Sequence, residues 1–401
     1  MAYTTYDFPR LNDESRRRTS YNAELFSNKI ESRSHIHIKM FSRSMLLQAT
    51  ALLPFFYTTP ATAQNACNNS PDLCSRAYNN ITYLGAHDSP FLRNEETSFS
   101  TSGNHYYNTT VQLDAGVRML TAQVHQANDS GSTSWHLCHS SCDLLDAGSL
   151  ESWLSEIKTW MDANTNDVVT LLLVNSDNAS PSDLGGIFSS SGLYQLAYTP
   201  PSASSVPETW PTLDTLIGNN TRLMTFIASL DGGASAEYPY MMDEFTFMFE
   251  NDYENINPSN YSCNPSRPDS VAGSPSKAQE ANLMFLQNHF LYETQLFGIQ
   301  SPNETYANVT NAETGFGSLG SAVTACEGVY GKAANFVLVD FFNVGPAIAS
   351  VDRANGVSGS VTGRKSVSTE ALEQSTGAGV REKGSMFAVV LAVAVAVAFG
   401  A

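Results

Sequence analysis

The chain carries little positive charge. Its 401 residues include 21 Lys and Arg against 39 Asp and Glu, the formal net charge is −18, and charged residues make up only 15% of the sequence. An acidic protein repels nucleic acid and anionic lipid headgroups at long range. The composition therefore argues against a nucleic-acid partner, and any anionic substrate requires a local cationic pocket.

Cysteine is also scarce, and none of the six cysteines has the histidine spacing of a structural zinc site. Their even number is typical of disulfides formed in an oxidising compartment. Spacing alone leaves several connectivities open. The pairs that we expect are Cys67–Cys74, Cys138–Cys142 and Cys263–Cys326.

Apolar runs long enough to span a bilayer comfortably, about 20 residues, are missing. A shorter run at 45–57 follows basic residues and precedes small residues at 61–63, which predicts a signal peptide. Residues 1–63 are therefore assigned to an N-terminal extension and signal peptide. The polar stretch in front of the run indicates a true start at Met40 or Met45.

The C-terminal run, 387–401, consists almost wholly of Ala, Val, Leu and Phe, with small residues at 375–379 and a polar spacer before it. This order predicts a glycosylphosphatidylinositol (GPI) attachment signal over 380–401. A short C-terminal membrane helix is the alternative. Residues 350–379 are rich in Ser, Gly and Thr, which predicts a flexible stalk.

Potential N-glycosylation sequons are spread across the body of the chain. If used, each requires a surface position in an exported protein. The nine sequons begin at Asn68, Asn80, Asn108, Asn128, Asn178, Asn219, Asn260, Asn303 and Asn308.

Residues 64–349 are long enough for one α/β barrel. Apolar runs that read as buried strands lie at 81–86, 117–124, 135–138, 168–174, 223–228, 245–249 and 336–342. Between them, apolar residues recur at helical spacing over 150–161, and 279–292 is a second candidate helix. Alternating strands and helices indicate βαβ units in a single domain.

The first predicted strand ends directly in a His-Asp-Ser sequence, and the carboxyl ends of barrel strands carry catalytic groups. Four segments resemble, in order and spacing, the phosphatidylinositol-specific phospholipase C-like phosphodiesterases, and look closest to their GPI-anchored fungal branch. The resemblance covers about residues 75–345. The segments are Ala86-His87-Asp88-Ser89, Leu113-Asp114-Ala115-Gly116-Val117-Arg118, Leu137-Cys138-His139 and Val339-Asp340-Phe341-Phe342-Asn343.

The resemblance implies a distorted TIM barrel and a phosphodiester cleavage in which a neighbouring hydroxyl attacks phosphorus to give a cyclic phosphate. It implies that His87 is the general base and His139 the general acid, with Asp340 orienting His87. Imidazoles titrate near neutral pH and suit both roles. A carboxylate behind one imidazole fixes its tautomer.

The chain departs from the family pattern on the strand after Arg118. Bacterial members carry an acidic residue and then a phosphate-binding arginine there, and calcium-dependent members carry two carboxylates, but Thr121 and Gln123 occupy these positions here. We therefore predict no metal site. Arg118 is the nearest replacement cation, with a salt bridge at the barrel rim as the alternative. Asp88 and Gln123 are further candidate substrate contacts, with loop bracing as the alternative for Asp88.

The segment Phe249-Glu250-Asn251-Asp252-Tyr253 is similar to a Glu-Asn-x-Tyr segment of these barrels. Tyr253 is predicted to stack on an inositol or sugar ring of the substrate. Glu250 and Asp252 are the weaker candidates for holding a divalent cation.

The sequence thus predicts an extracellular phosphoric diester hydrolase on the outer leaflet, held by a GPI anchor. Its substrate would be a phosphoinositide, a GPI-type lipid or a related phosphodiester. The alternative is a catalytically impaired barrel that binds phospholipid or glycan at the cell surface, and a third possibility is a lectin-like structural glycoprotein.

Overall fold

The computed structural model describes residues 66–129, 132–230, 236–295, 298–357, 359 and 361–374. The predicted signal peptide and GPI-attachment signal lie outside these residues. Within the described part of the chain, no helix combines the length and the apolar character needed to cross a membrane.

A ten-stranded sheet forms the centre of the domain. Eight of its strands follow the order β7-β6-β5-β2-β1-β12-β9-β8, and every neighbouring pair along this path is parallel. The strands on this path are β1 (Tyr83–Ala86), β2 (Met119–Asp129), β5 (Val169–Asn175), β6 (Leu223–Ala228), β7 (Met241–Asp243), β8 (Met248–Glu250), β9 (Met284–Asn288) and β12 (Phe336–Val339). The predicted α/β distorted barrel is confirmed.

Two antiparallel additions extend this barrel. β3 (Ser132–Cys138) pairs with β2 and with β4 (Asp146–Ser149), and a separate hairpin joins β10 (Tyr292–Thr294) to β11 (Gln300–Pro302). The helices are α1 (Thr109–Ala115), α2 (Leu150–Ala163), α3 (Pro181–Ser190), α4 (Leu213–Gly218), α5 (Glu244–Phe247), α6 (Pro275–Glu280), α7 (Ala307–Thr310), α8 (Leu319–Tyr330) and α9 (Ala347–Ala354).

Helix α2 shows how local sequence sets these elements. The Ser149 side chain caps it by accepting a hydrogen bond from the Ser152 backbone N–H, and its apolar residues form one buried face. The second predicted helix, at 279–292, is wrong. The chain forms the short helix α6 and then β9, whose five residues are all buried. Burial on both faces removes the alternation that would have marked β9 as a strand.

Side chains alternate between two hydrophobic clusters along each strand. On β2, Met119 belongs to the cluster inside the barrel, whereas Leu120 and Ala122 belong to the cluster between the sheet and the helices. The inner cluster also contains Leu172 and Leu338. Residue parity along a strand therefore decides which side chains can reach the barrel interior.

Gly85 occupies an inward position of β1 where no side chain fits. A Cβ atom there would lie 2.3 Å from Leu338 Cδ2 and 3.3 Å from Met119 Cβ. The glycine therefore allows β1, β2 and β12 to pack closely together next to His87.

The flexible stalk predicted at 350–379 is wrong for its described part. Helix α9 continues to Ala354. Residues 361–374, which we call the C-terminal strap, contact the domain through backbone hydrogen bonds from Thr362 to Asn69 and from Lys365 to Asp114, both 2.9 Å long. Arg364 forms a bidentate ion pair with Asp352, with N–O distances of 2.6 and 2.7 Å. Further along, the Asn343 amide donates to the Ser368 carbonyl at 2.8 Å. Low aromatic content did not prevent docking because the strap is held largely by backbone hydrogen bonds and ion pairs.

All three predicted disulfides are present: Cys67–Cys74, Cys138–Cys142 and Cys263–Cys326. The first closes a loop at the start of the domain. The second encloses residue 139, and the third links the loop after β8 to helix α8. Disulfides form and persist in oxidising compartments, so these three bonds fit such a location.

Candidate active site

The inward-facing residues at the carboxyl ends of the strands form one pocket. Its floor includes the apolar side chains of Leu172, Leu286 and Leu338. Polar side chains lie above this floor because they occupy the next inward positions on their strands. They are His87, Thr121, Gln123, Glu250 and Asn288.

His87 is held by two neighbours. Its Nδ1 lies 2.9 Å from Asp340 Oδ1, and its ring stacks on Phe290 with centroids 3.6 Å apart. Nδ1 therefore carries the hydrogen of this bond to the carboxylate, which leaves Nε2 able to accept a proton. The sequence motifs had placed His87 and Asp340 on different strands, and the parallel pairing of β1 with β12 brings them together.

Asn104 is a third member of this group, and sequence reasoning missed it. Its side-chain amide donates to Asp340 Oδ1 at 2.9 Å and lies 3.3 Å from His87 Nδ1. Asn104 is fully buried, in a loop between β1 and α1. No motif or periodicity marked this loop position, so the sequence offered no signal for it.

His139 follows β3 directly, inside the loop that the Cys138–Cys142 disulfide closes. It is buried and does not itself line the pocket, but it adjoins Asp88, which does. Its Nε2 is 3.7 Å from Asp88 Oδ2, and His87 Nε2 is 3.6 Å from the same oxygen. The two Nε2 atoms are therefore no further apart than the sum of these distances, about 7 Å. Both imidazoles therefore adjoin the same carboxylate oxygen of Asp88.

Thr121 and Gln123 both act on Asp88. The Thr121 hydroxyl accepts from the Asp88 backbone N–H at 2.8 Å, and Asp88 has a positive φ of 51°. The Gln123 amide donates to Asp88 Oδ2 at 2.7 Å, while its carbonyl oxygen accepts from the Ser140 backbone N–H at 2.9 Å. Gln123 thus links the loop after β1 to the loop that carries His139. Loop bracing, one of the two expectations for Asp88, is what these bonds achieve.

The two histidines have opposite pKa shifts. Burial lowers the pKa of His87, but the carboxylates of Asp88 and Asp340 together outweigh burial, so its pKa is raised above the usual value. Burial also dominates at His139; Asp88 opposes it and the charge of His87 adds to it, so the pKa of His139 is lowered. When one proton is shared by the pair, it therefore resides mostly on His87.

The opposite wall of the pocket is acidic. Glu250 is 3% exposed, and its Oε2 accepts from the Asn288 amide at 2.6 Å. Burial raises the pKa of Glu250, while Arg267 opposes this shift. Burial raises the pKa of the neighbouring Glu244 well above its usual value, and the charge of Glu250 adds to this. Burial thus disfavours a fully charged wall.

Arg267 is the residue that sequence reasoning missed in this wall. Its guanidinium lies 2.5 Å from Glu250 Oε1 and 4.5 Å from the centroid of the Tyr253 ring. Tyr253 lines the pocket, but its ring already packs against this guanidinium. Asp252, by contrast, caps its own loop by accepting from the Glu254 backbone N–H.

Arg118 does not line this pocket, so its predicted substrate role is wrong. It immediately precedes β2, and its parity directs it outward, where its guanidinium lies 5.2 Å from the Trp160 ring. Asp167 Oδ1 accepts from its Nε and from an η nitrogen at 3.0 and 2.8 Å. The salt bridge that was the alternative for Arg118 is therefore the one observed.

The barrel thus carries two imidazoles and a buried carboxylate at the carboxyl edge of its strands. A family model for the PI-PLC X domain matches residues 73–355 of this chain. The chain therefore belongs to the PI-PLC X domain family, which confirms the family resemblance identified from the sequence.

The chain is similar to two fungal proteins, one of which is named for the same domain. The chain is 36% identical over 298 residues to a PI-PLC X domain-containing protein 1 of Arthroderma benhamiae, covering 74% of this chain and 92% of the relative. It is 37% identical over 289 residues to an uncharacterized secreted protein of the same organism, covering 71% of this chain and 62% of the relative. The chain thus spans less than two thirds of that second protein.

Among solved structures, the phosphatidylinositol-specific phospholipase C from Listeria monocytogenes matches with a TM-score of 0.45 and 14% identity, covering 72% of this chain and 96% of that one. A variant of the Staphylococcus aureus enzyme matches with a TM-score of 0.46 and 12% identity, covering 70% and 94%.

Proposed function

We propose that this protein is an extracellular phosphodiesterase that cleaves an inositol phosphodiester with His87 as general base and His139 as general acid. The observation that supports this most directly is the placement of both Nε2 atoms within 3.7 Å of one Asp88 oxygen, with Asp340 on the far side of His87. An in-line displacement at phosphorus requires one proton-transfer group near the attacking oxygen and a second near the leaving oxygen, on the opposite side of phosphorus.

The proposed reaction includes two proton transfers, one from the substrate to His87 and one from His139 to the leaving group. His87 Nε2 removes the proton from a substrate hydroxyl next to the phosphodiester, and the hydroxyl oxygen forms a new bond to phosphorus. The bond from phosphorus to the leaving oxygen breaks, and His139 Nε2–H protonates that oxygen. Asp340 stabilises the imidazolium formed at His87. The products are a cyclic phosphate and a free alcohol.

The pKa order sets a condition on this reaction. The productive form has the proton on His139 and not on His87, yet the raised pKa of His87 and the lowered pKa of His139 favour the reverse arrangement. An anionic phosphodiester beside His139 stabilises its imidazolium and so increases the productive fraction. We therefore expect substrate binding and protonation of His139 to be coupled.

We also propose a reaction that needs no metal ion. The β2 positions that carry carboxylates in the calcium-dependent enzymes are Thr121 and Gln123, whose neutral side chains are already bonded to Asp88. A hydroxyl and an amide in these bonds offer no anionic pair for a hard divalent cation.

The proposed location is the outer face of the cell, with a GPI anchor at the processed C-terminus. Three disulfides, a relative named as a secreted protein, and eight sequon asparagines that are at least partly exposed support it. The exception is Asn68, which is 4% exposed and accepts from the Val168 backbone N–H at 2.7 Å. We propose that Asn68 stays unglycosylated. The proposed location favours a phospholipid or glycolipid of the outer leaflet as the substrate.

The test is product analysis with the secreted protein on vesicles that contain phosphatidylinositol and, separately, on a GPI-anchored protein. Wild type should release a cyclic inositol phosphate. His87→Ala and His139→Ala should each lower the rate by about 10² to 10⁴-fold. His136→Ala is the matched control, because His136 lies on the same hairpin and pairs with Asp146 outside the pocket. Wild type without activity on either substrate would refute the proposal.

A catalytically impaired binding barrel is the second candidate. It is favoured by Asp88, whose carboxylate lies between the two imidazoles where a phosphate would come, and by the lack of a cation at Gln123. Under this alternative, wild type binds myo-inositol 1-phosphate but releases no cyclic product.

A further inference from the structure

We propose that Arg267 supplies the phosphate-binding cation that strand β2 lacks. This inference rests on the proposed function of the same pocket. A phosphodiester brings a negative charge whose stabilisation on the phosphoryl oxygens is the main task of the protein in phosphoryl transfer. Among the described residues that line the pocket, Arg267 is the one Lys or Arg.

The backbone fixes Arg267 at the carboxyl edge of the sheet. The Glu250 N–H donates to the Arg267 carbonyl at 3.0 Å, and the Arg267 N–H donates to the Glu250 carbonyl at 3.2 Å. This antiparallel bridge extends the end of β8, so Arg267 is tied to a strand rather than to a free loop. Glu250, Arg267 and His87 line the same pocket.

The guanidinium keeps hydrogen-bond donors for a ligand. It contacts Glu250 through one nitrogen and packs over the rings of Tyr253 and Phe245, at 4.5 and 5.4 Å from their centroids. Its side chain is 44% exposed. A guanidinium has five N–H donors in a planar fork that matches two phosphate oxygens. Both rings pack against the guanidinium, and N–H donors that do not contact Glu250 remain for a phosphoryl group.

The other arginines near the barrel mouth or next to β2 already have carboxylate partners. Arg118 faces outward and is bound by Asp167. Arg93 pairs with Glu304 at 2.8 Å and does not line the pocket. The position that holds a cation in bacterial relatives is Gln123, which is bonded to Asp88 and to the Ser140 N–H. The proposed phosphate-binding cation of this chain is therefore Arg267, beside the end of β8, and not a residue of β2.

Glu250 fits the role of holding Arg267 in place. Its second oxygen is fixed by Asn288, and burial raises the pKa of both Glu250 and Glu244. A wall whose carboxylates resist full ionisation neutralises less of the guanidinium charge. Part of the charge on Arg267 is therefore left for an incoming phosphate.

The experiment compares Arg267→Met and Arg267→Lys with Arg353→Met. Arg353 is a matched control because it is an ion-paired arginine on helix α9, with a side chain that is 55% exposed. Two quantities are measured for each full-length secreted protein: kcat/KM on phosphatidylinositol vesicles, and the Kd of myo-inositol 1-phosphate by calorimetry. Circular dichroism checks that each variant is folded.

Arg267→Met should lower kcat/KM by about 10² to 10³-fold and weaken binding of the phosphate, since one preorganised donor group is lost. Arg267→Lys should recover only part of both, because a point charge lacks the planar fork. In a third variant, Arg267→Ala, added millimolar guanidinium should restore part of the activity. Arg353→Met should behave as wild type.

The outcomes separate this inference from the proposed function. Folded Arg267 variants that keep wild-type kcat/KM and Kd would overturn the role of Arg267 and leave the hydrolase proposal standing. A wild-type protein without turnover whose phosphate binding still depends on Arg267 would refute the hydrolase and support the cation site.

Discussion

Replacing Asp340 with Asn tests the electrostatic arrangement around His87. Asp340 Oδ1 lies 2.9 Å from His87 Nδ1, and both side chains are largely buried, with 6% and 12% exposure. At an effective dielectric constant of about 20, two unit charges at this distance attract by about 6 kcal/mol before desolvation is subtracted. Net shifts caused by one adjacent carboxylate are about 1 to 3 pKa units.

Asn104 fixes the orientation of the substituted side chain. Because its amide donates to Oδ1 of Asp340, it selects the amide oxygen of the substituted side chain for that position, so the bond from His87 Nδ1–H is kept. The new NH₂ group then takes the place of Oδ2, a buried atom without a hydrogen-bond partner. We expect Asp340→Asn to lose about 1 to 3 kcal/mol of stability from this unpaired donor, and to keep the His87 tautomer.

The pH dependence of kcat/KM is the readout. A raised pKa favours the charged form below it, so the descending limb of the profile reports mainly on His87, which has the higher pKa of the pair. Loss of the Asp340 charge lowers the pKa of His87, and the descending limb should move to lower pH by about 1 to 3 units. A limb that stays in place, or moves to higher pH, would show that Asp340 does not stabilise the His87 imidazolium.

Three further changes have distinct signatures. Asn104→Leu removes a donor from Asp340, which leaves more negative charge facing His87, so the descending limb should move to higher pH; no movement would argue against an electrostatic role. Gln123→Glu sets a second carboxylate against Asp88, so activity should fall near neutral pH and recover in acid, where one shared proton restores the bond; a uniform loss at every pH would contradict this. Replacing Cys263 and Cys326 with Ser opens a loop with a sequence separation of 63 residues and should cost about 4 kcal/mol in urea unfolding, with kcat unchanged; an unchanged unfolding midpoint would contradict the estimate.

The sequence was most informative where chemistry lies at the end of a strand. His87 and Asp340 each follow a short buried strand, so the barrel topology alone brings them to one edge. The alternation of side chains along β2 also predicts which of them face the barrel interior. Arg118 has the opposite parity to Thr121 and Gln123, which already excludes it from the interior.

Other parts of the site could not be derived from periodicity. Asn104 and Arg267 lie in loops, where neither strand nor helix spacing constrains the direction of a side chain. Strand β9 is buried on both faces and was read as part of a helix. The C-terminal strap has the composition of a linker, yet Arg364 and its ion pair with Asp352 help to hold it on the domain.

The most direct test of the proposed acid–base division uses the leaving group. A general acid matters for a poor leaving group such as an alcohol and little for p-nitrophenolate, which departs without a proton. His139→Ala should therefore lose about 10² to 10⁴-fold on phosphatidylinositol but far less on the p-nitrophenyl ester of inositol phosphate, whereas His87→Ala should lose activity on both. Equal losses for His139→Ala on the two substrates would contradict the assignment of His139 as the general acid.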